Sequence, residues 1–511
     1  MRILSLGLFW LSLSASAQLA PSIAWQNALG GSANESGYDI QQTADGGYIM
    51  VGQTFSNDGD VSGNHGSYDV WAVKLDDMGN LTWQKALGGA NIDVANAVQQ
   101  TSDGGYIMVG LTFSNDGDVS GNHGQSDVWV VKLDDLGNLS WQKTLGGSGD
   151  DHGWDIQQTS DGGYIAVGTT MSNNGDVSGN HGGFDVWVVK LDMMGNFAWQ
   201  KAFGGISTEF GQAIGQSIDG GYILVGLTYS NDGDVSGNHG SSDVWIIKLD
   251  ETGNLIWQKT LGGSGEDSGN AILQTSDGGY TVTGYTESND GDVSGNHGGF
   301  DAWVVKLDIM GNFAWQKAFG GSGMDKAVDI EQTSDGGYIM TGFTESNDGD
   351  ISGNYGSADM WVLKVDVIGN LLWQKTLGGA NIDIAYAVQQ TSDEGFILAG
   401  SSDSNNGHVF GNHGLQDTWV VKLGLGTVGL DDGFANSFTI APNPTHGSIR
   451  VTSASPMHTA ITLNDALGRE VLRETMVGKT ATLDLSGYPR GLYLLTLLSA
   501  EGNQSERLVL E

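Results

Sequence analysis

The chain has 511 residues, of which 39% are hydrophobic, and carries 82 glycines, 5 prolines, no cysteine and a formal charge of −39. That apolar content is enough for a large core and excludes disorder, while the negative field repels nucleic-acid phosphates and anionic lipid and attracts cations. Without cysteine there is no disulfide, thiolate nucleophile or thiolate-bound metal.

The chain opens with "MRILSLGLFWLSLSASA", in which Arg2 precedes an apolar run from Ile3 to Leu13 and a small-x-small ending at Ala15 and Ala17. This is the pattern of a secretory signal over residues 1–17. The run is short for a bilayer and no second apolar stretch follows, so no membrane span is expected. Residues 18–24 form a lead-in.

From residue 25 the sequence repeats. "WQ" recurs at Trp25, Trp83, Trp141, Trp199, Trp257, Trp315 and Trp373, a period of 58 residues, and a second tryptophan series runs from Trp71 to Trp419 at the same period. Periods of this size indicate solenoids, propellers or arrays. One period holds four strand patterns, here in the second copy: 94–101, 105–112, 127–133 and 138–147. The second and third are apolar on both faces, as strands between neighbouring blades must be. The region begins with a fourth-strand sequence and ends at Leu423 with a third strand. The orphan strand can therefore complete the last blade and close the ring, removing open sheet edges. The fold expected for 25–423 is an all-β, seven-bladed β-propeller that functions as a monomer. Both tryptophan series lie in strand patterns, which favours burial between blades over stacking on sugars. "LDDMGNL" (75–81) reads as a hairpin turn with Gly79 in a left-handed conformation.

The segment 145–205, with "LGG", "FDVWVVKL" and "GNFAW", resembles the bacterial β-propeller repeat family written SBBP. The resemblance covers 25–423 and implies a secreted or surface propeller without implying one activity.

The period stops at a linker, 424–437. Beyond it, "APNPTHGSIRV", "DALGREV" and "LSGYPRGLYLL" alternate with turns over 438–511. These resemble the type A C-terminal sorting domain of the type IX secretion system. That implies a small β-sandwich, engagement with the type IX secretion machinery, export across the outer membrane of a Gram-negative bacterium, and attachment to the cell surface or release.

A loop between the second and third strands repeats "DGDVSGNHGSYD". Asp58, Asp60, Ser62, Asn64 and Asp69 fall at positions 1, 3, 5, 7 and 12 of an EF-hand-type calcium frame, with glycine at 6 for the sharp turn. The frame recurs with Asp116, Asp118, Ser120, Asn122 and Asp127; with Asn174, Asp176, Ser178, Asn180 and Asp185; and with Asp232, Asp234, Ser236, Asn238 and Asp243. It recurs again with Asp290, Asp292, Ser294, Asn296 and Asp301, and with Asp348, Asp350, Ser352, Asn354 and Asp359. About six calcium sites are thus expected. The seventh copy, with Asn406, His408 and Phe410, is degenerate. The same residues are also ordinary turn formers whose side chains cap nearby amides, and both readings stand at this point. The loop is expected to share an acidic rim with Asp150, Asp151, Glu266, Asp267 and Asp325. One histidine per blade (His65, His123, His181, His239 and His297) does not make a zinc cluster.

No nucleophile elbow, zinc-protease helix or phosphate loop is present, and no disulfide framework guides the reading. Near-identical loops suit repeated binding better than one asymmetric catalytic constellation. The leading expectation is a non-catalytic binding or adhesion module for a glycan or extracellular matrix ligand, with no nucleic-acid partner. A structural envelope or spacer protein is the alternative, and a carbohydrate-active enzyme a third.

Overall fold

The computed structural model describes residues 20–424, 438–441, 445, 447–465, 470–499 and 502–510. The expected signal peptide, the first lead-in residues and linker residues 425–437 lie outside the described residues.

Blade 1 is a four-stranded antiparallel meander of Glu35–Gln42, Tyr48–Thr54, Asp69–Leu75 and Leu81–Leu87. Five further blades repeat it in chain order, and the 58-residue spacing holds throughout. Blade 7 takes three strands from the end of the repeat region, Asp383–Gln390, Phe396–Ser402 and Asp417–Leu423. Its outermost strand comes from the start, Ile23–Leu29. Trp25 pairs with Lys422 and Leu29 with Thr418. Trp419 Nε1 donates to Gln26 Oε1 at 2.7 Å, the bond that Trp71 makes to Gln84 at 2.9 Å inside blade 1. The closing blade is thus built like the others. The seven innermost strands pack one against the next, blade 7 against blade 1 included, so the ring is closed.

The third strand, Asp69–Leu75 in blade 1, is buried at every residue because both of its faces meet a neighbour. Between blades 1 and 2, Ile49, Val51 and Val70 pack on Met108, Trp129 and Val131, and the pattern recurs round the ring. The Trp71 series is essentially inaccessible, whereas most of the Trp25 series is half-buried and covers the hairpin turns, Trp25 lying over Gly79 (φ +84°).

Two hydrogen-bond rings lock the blades. Lys74, buried in the third strand, places Nζ 3.0 Å from Asp45 of the turn after the innermost strand. On those same turns, the amides of Ala44, Ser102, Ser160, Ile218, Ser276, Ser334 and Ser392 each donate to a glutamine Oε1 of the adjoining blade at 2.7–2.8 Å. The second ring lies at the opposite end, in the Asp-rich loops.

Among the described residues, the C-terminal part forms one five-stranded sheet of Phe438–Ala441, Ser448–Asp465, Glu470–Asp484, Gly491–Ser499 and Gly502–Leu510. The register breaks between Thr452 and Met457, and side chains from both halves, such as Val451 and Leu463, share one core. Among the described residues, the hydrogen-bonded sheet of the expected small β-domain thus wraps on one core.

Candidate functional site

The strands deliver every Asp-rich loop to one end of the ring, beside the glycine connectors that lead into each blade. Asp58 Oδ1 accepts the Ser32 amide at 2.8 Å, and Asp60 Oδ2 accepts the Gly30 amide at 3.2 Å. Ser62 Oγ accepts from Gln84 Nε2 at 2.7 Å. Asn64 Nδ2 donates to the Thr54 carbonyl at 3.0 Å, and its Oδ1 accepts the Gly66 amide at 2.9 Å. Asp69 Oδ2 accepts both the His65 amide, at 2.9 Å, and His65 Nδ1, at 2.6 Å.

The later loops repeat this. Position 1 caps a connector amide in Asp116, Asn174, Asp232, Asp290, Asp348 and Asn406. Position 3 caps the connector glycine in Asp118, Asp176, Asp234, Asp292 and Asp350. Ser120, Ser178, Ser236, Ser294 and Ser352 hold a glutamine. Asn122, Asn180, Asn238, Asn296 and Asn354 span the loop base. Asp127, Asp185, Asp243 and Asp301 hold a histidine, and Asp359 holds the Tyr355 amide. The five frame positions thus share one loop but point to separate partners. Among the described residues, no three His, Asp or Glu side chains meet as a metal set would.

Each blade junction buries two carboxyls. Asp69 of blade 1 and Asp93 of blade 2 are both inaccessible, and a Cβ on Gly88 would lie 3.0 Å from Asp69 Oδ1 and 2.6 Å from Asp93 Oδ2. Asp93 is held by the Gly89 amide and the hydroxyls of Thr112 and Ser114, while Asp69 Oδ1 has no partner. Burial raises both carboxyls, and the His65 imidazole opposes the rise at Asp69. At Asp359, where no histidine stands, burial lifts the value to about 7. Three acids expected on the open rim, Asp151, Asp267 and Asp325, are these buried partners, because they begin the innermost strands; Glu266 is exposed.

A second location was not anticipated from the repeats. A cavity of ≈750 Å³ on the ring's inner side is lined by the innermost strands, entering from the end opposite the Asp-rich loops, and includes Asp39, Asp155, Asp329 and Glu331. A β-bulge between Gly37 and Asp39, repeated in each blade, redirects the strand at this level. Asp39, Asp155 and Asp329 accept the amides of Val98, Ile214 and Val388 of the next blade at 2.8 Å, and Glu331 accepts that of Gln390. Burial pushes Asp39 to about 7, with the charges of Asp329 and Asp155 adding to the rise. It pushes Asp155 and Asp329 to about 6 and Glu331 to about 7. The equivalent residues elsewhere are Ala97, Ala213, Ala271 and Ala387. Stacking the seven copies exposes that Asp/Ala alternation, the one signal the sequence offered.

Residues 439–511 match the family model of the secretion system C-terminal sorting domain. The chain carries a type IX sorting domain and is exported to the cell surface or the extracellular space. The regulatory protein FlaEY of Caulobacter vibrioides is 27% identical over 147 residues, 27% of this chain and 15% of that protein, so the chain spans a small part of its relative's length. Among solved structures, puromycin hydrolase aligns at 12% identity and a TM-score of 0.45, over 94% of this chain and 62% of its own. PorZ, a surface component of the type-IX secretion system of Porphyromonas gingivalis, aligns at 11% and 0.31, over 96% and 75%. Likenesses this distant carry no functional argument.

Proposed function

We propose that the exported ring is a non-catalytic binding module that presents its Asp-rich loops, one per blade, to an extended extracellular polymer such as a glycan or matrix component. The observation that carries this reading is the equivalence of the loops. The same cap on the connector amide recurs from Asp58 to Asn406, which fixes one exposed loop seven times on a single end of a closed ring, acidic in blades 1 to 6. Repeated, rigidly spaced contacts raise avidity without requiring any one strong site. A strongly negative face also concentrates divalent cations, and calcium held between loop carboxylates and an anionic polymer is part of the proposal.

The test is binding of the full exported chain to a panel of polysaccharides and matrix polymers, with calcium and with chelator. Capture of one polymer class, weakened by chelator, supports the reading. A blank panel leaves an envelope or spacer role in its place.

A further inference from the structure

The axial cavity differs from everything else in the ring because it does not repeat. Four blades place alanine at the level of Asp39, Asp155 and Asp329, so the fold accepts a methyl group there. Three blades instead hold a partly buried carboxyl, which costs desolvation and needs a return in binding or bonding. The amide bonds from neighbouring blades fix these carboxyls in place. They come from blades 1, 3 and 6, with Glu331 one level further along the strand, and line the same cavity.

The spacing selects the ligand. A metal ion needs several oxygens within reach of one point, and no three acidic side chains converge in that way among the described residues. Charges spread around ≈750 Å³ instead match a ligand whose own charges are spread along a chain. We propose that the axial cavity binds an extended organic polycation, an oligoamine, whose ammonium groups pair with Asp39, Asp155, Asp329 and Glu331. The four carboxyls line one cavity, and burial holds part of their population protonated near neutrality. Oligoamine binding therefore releases protons and strengthens as pH rises through 6 to 7.

Calorimetry of the full chain with spermidine, and separately with calcium chloride, tests this at pH 6 and pH 8. One spermidine per chain is expected, bound more tightly at pH 8, with affinity falling about tenfold for Asp39→Asn or Asp155→Ala. Asp155→Ala installs the residue that four blades already carry, and a thermal melt verifies that it folds. Asp58→Asn with Asp116→Asn leaves spermidine binding unchanged, which separates this site from the loop face even if no polymer binds there. Absence of heat, or equal affinity in the axial variants, overturns the proposal. Calcium displacing spermidine one for one with higher affinity also overturns it, in favour of a metal ion.

Discussion

The ring of Tyr355 meets that of His408 edge-on, centroids 5.0 Å apart, across the junction of blades 6 and 7. At the junctions of blades 1 and 2 and of blades 3 and 4, the same two positions hold His65 with Asp118 at 4.0 Å and His181 with Asp234 at 3.9 Å. Both members of the pair differ together, so an imidazole in blade 7 faces a phenol ring instead of a second imidazole. His408 Nδ1 still accepts the Gly378 amide, as Asp118 accepts that of Gly88. Position 3 of the loop thus serves the connector and the blade junction.

That pairing predicts coupling. Tyr355→His alone sets two imidazoles together and lowers stability at pH 5 by about 1 kcal/mol, because the partly exposed charges repel. Adding His408→Asp recreates the pair of the other junctions and recovers the loss. Urea unfolding of both singles and the double variant checks this, with purely additive effects as the contrary result.

Glycine at the bulge should be far less replaceable than glycine at the turn. A Cβ on Gly110 would lie 1.9 Å from the Val94 carbonyl oxygen, and the backbone there is locked in the sheet. Gly104 has φ +86° and open space around it. Gly110→Ala is expected to cost more than about 3 kcal/mol, against about 1 kcal/mol for Gly104→Ala, read from paired denaturation curves.

Stability should peak in mild acid. The values of Asp39, Asp155, Asp329 and Glu331 are raised by burial, so their contribution is full below the ordinary carboxyl range and is lost as pH rises through about 6 to 7. His65 and His297, raised by hydrogen bonds to Asp69 and Asp301, act in the same direction. At Asp161 and Asp277 burial would raise the carboxyl, but Thr and amide hydrogen bonds with Lys190 and Lys306 outweigh it and bring both to about 2. Their contribution is present above the ordinary value and is lost as pH falls towards 2. Melting temperature is expected to be highest between roughly pH 4 and 6 and to fall by pH 8, with Asp39→Asn flattening the alkaline side.

Removing the closing strand should open the ring. Without Ile23–Leu29, the edge of Asp417–Leu423 loses its partner and Trp419 loses Gln26. A chain lacking residues 20–29 is expected to unfold earlier and to self-associate through that edge in size-exclusion chromatography. A monomer with unchanged melting would contradict this.

The blades were legible because each strand's burial depends on a neighbour that the 58-residue period itself supplies, and the fourth-strand text at Trp25 announced the closure. The loop carboxylates were legible as a spacing but not as partners. Asp58 bonds Ser32, 26 residues earlier, and His65 approaches Asp118, 53 residues later, contacts that no local frame contains. The axial carboxyls were harder still. Asp39 and Asp329 lie 290 residues apart and line one cavity only once seven blades have closed around an axis.

Polymer binding by chains with progressively altered loops tests the central claim most directly. Asp58→Asn with His65→Gln would be introduced in blade 1, and the equivalent changes then added in blades 2, 4 and 5, since blade 3 already carries Asn174. If the loops act together, affinity for the captured polysaccharide falls with each blade, multiplicatively and not in proportion. Binding that survives all four pairs unchanged would contradict a loop-face binding module.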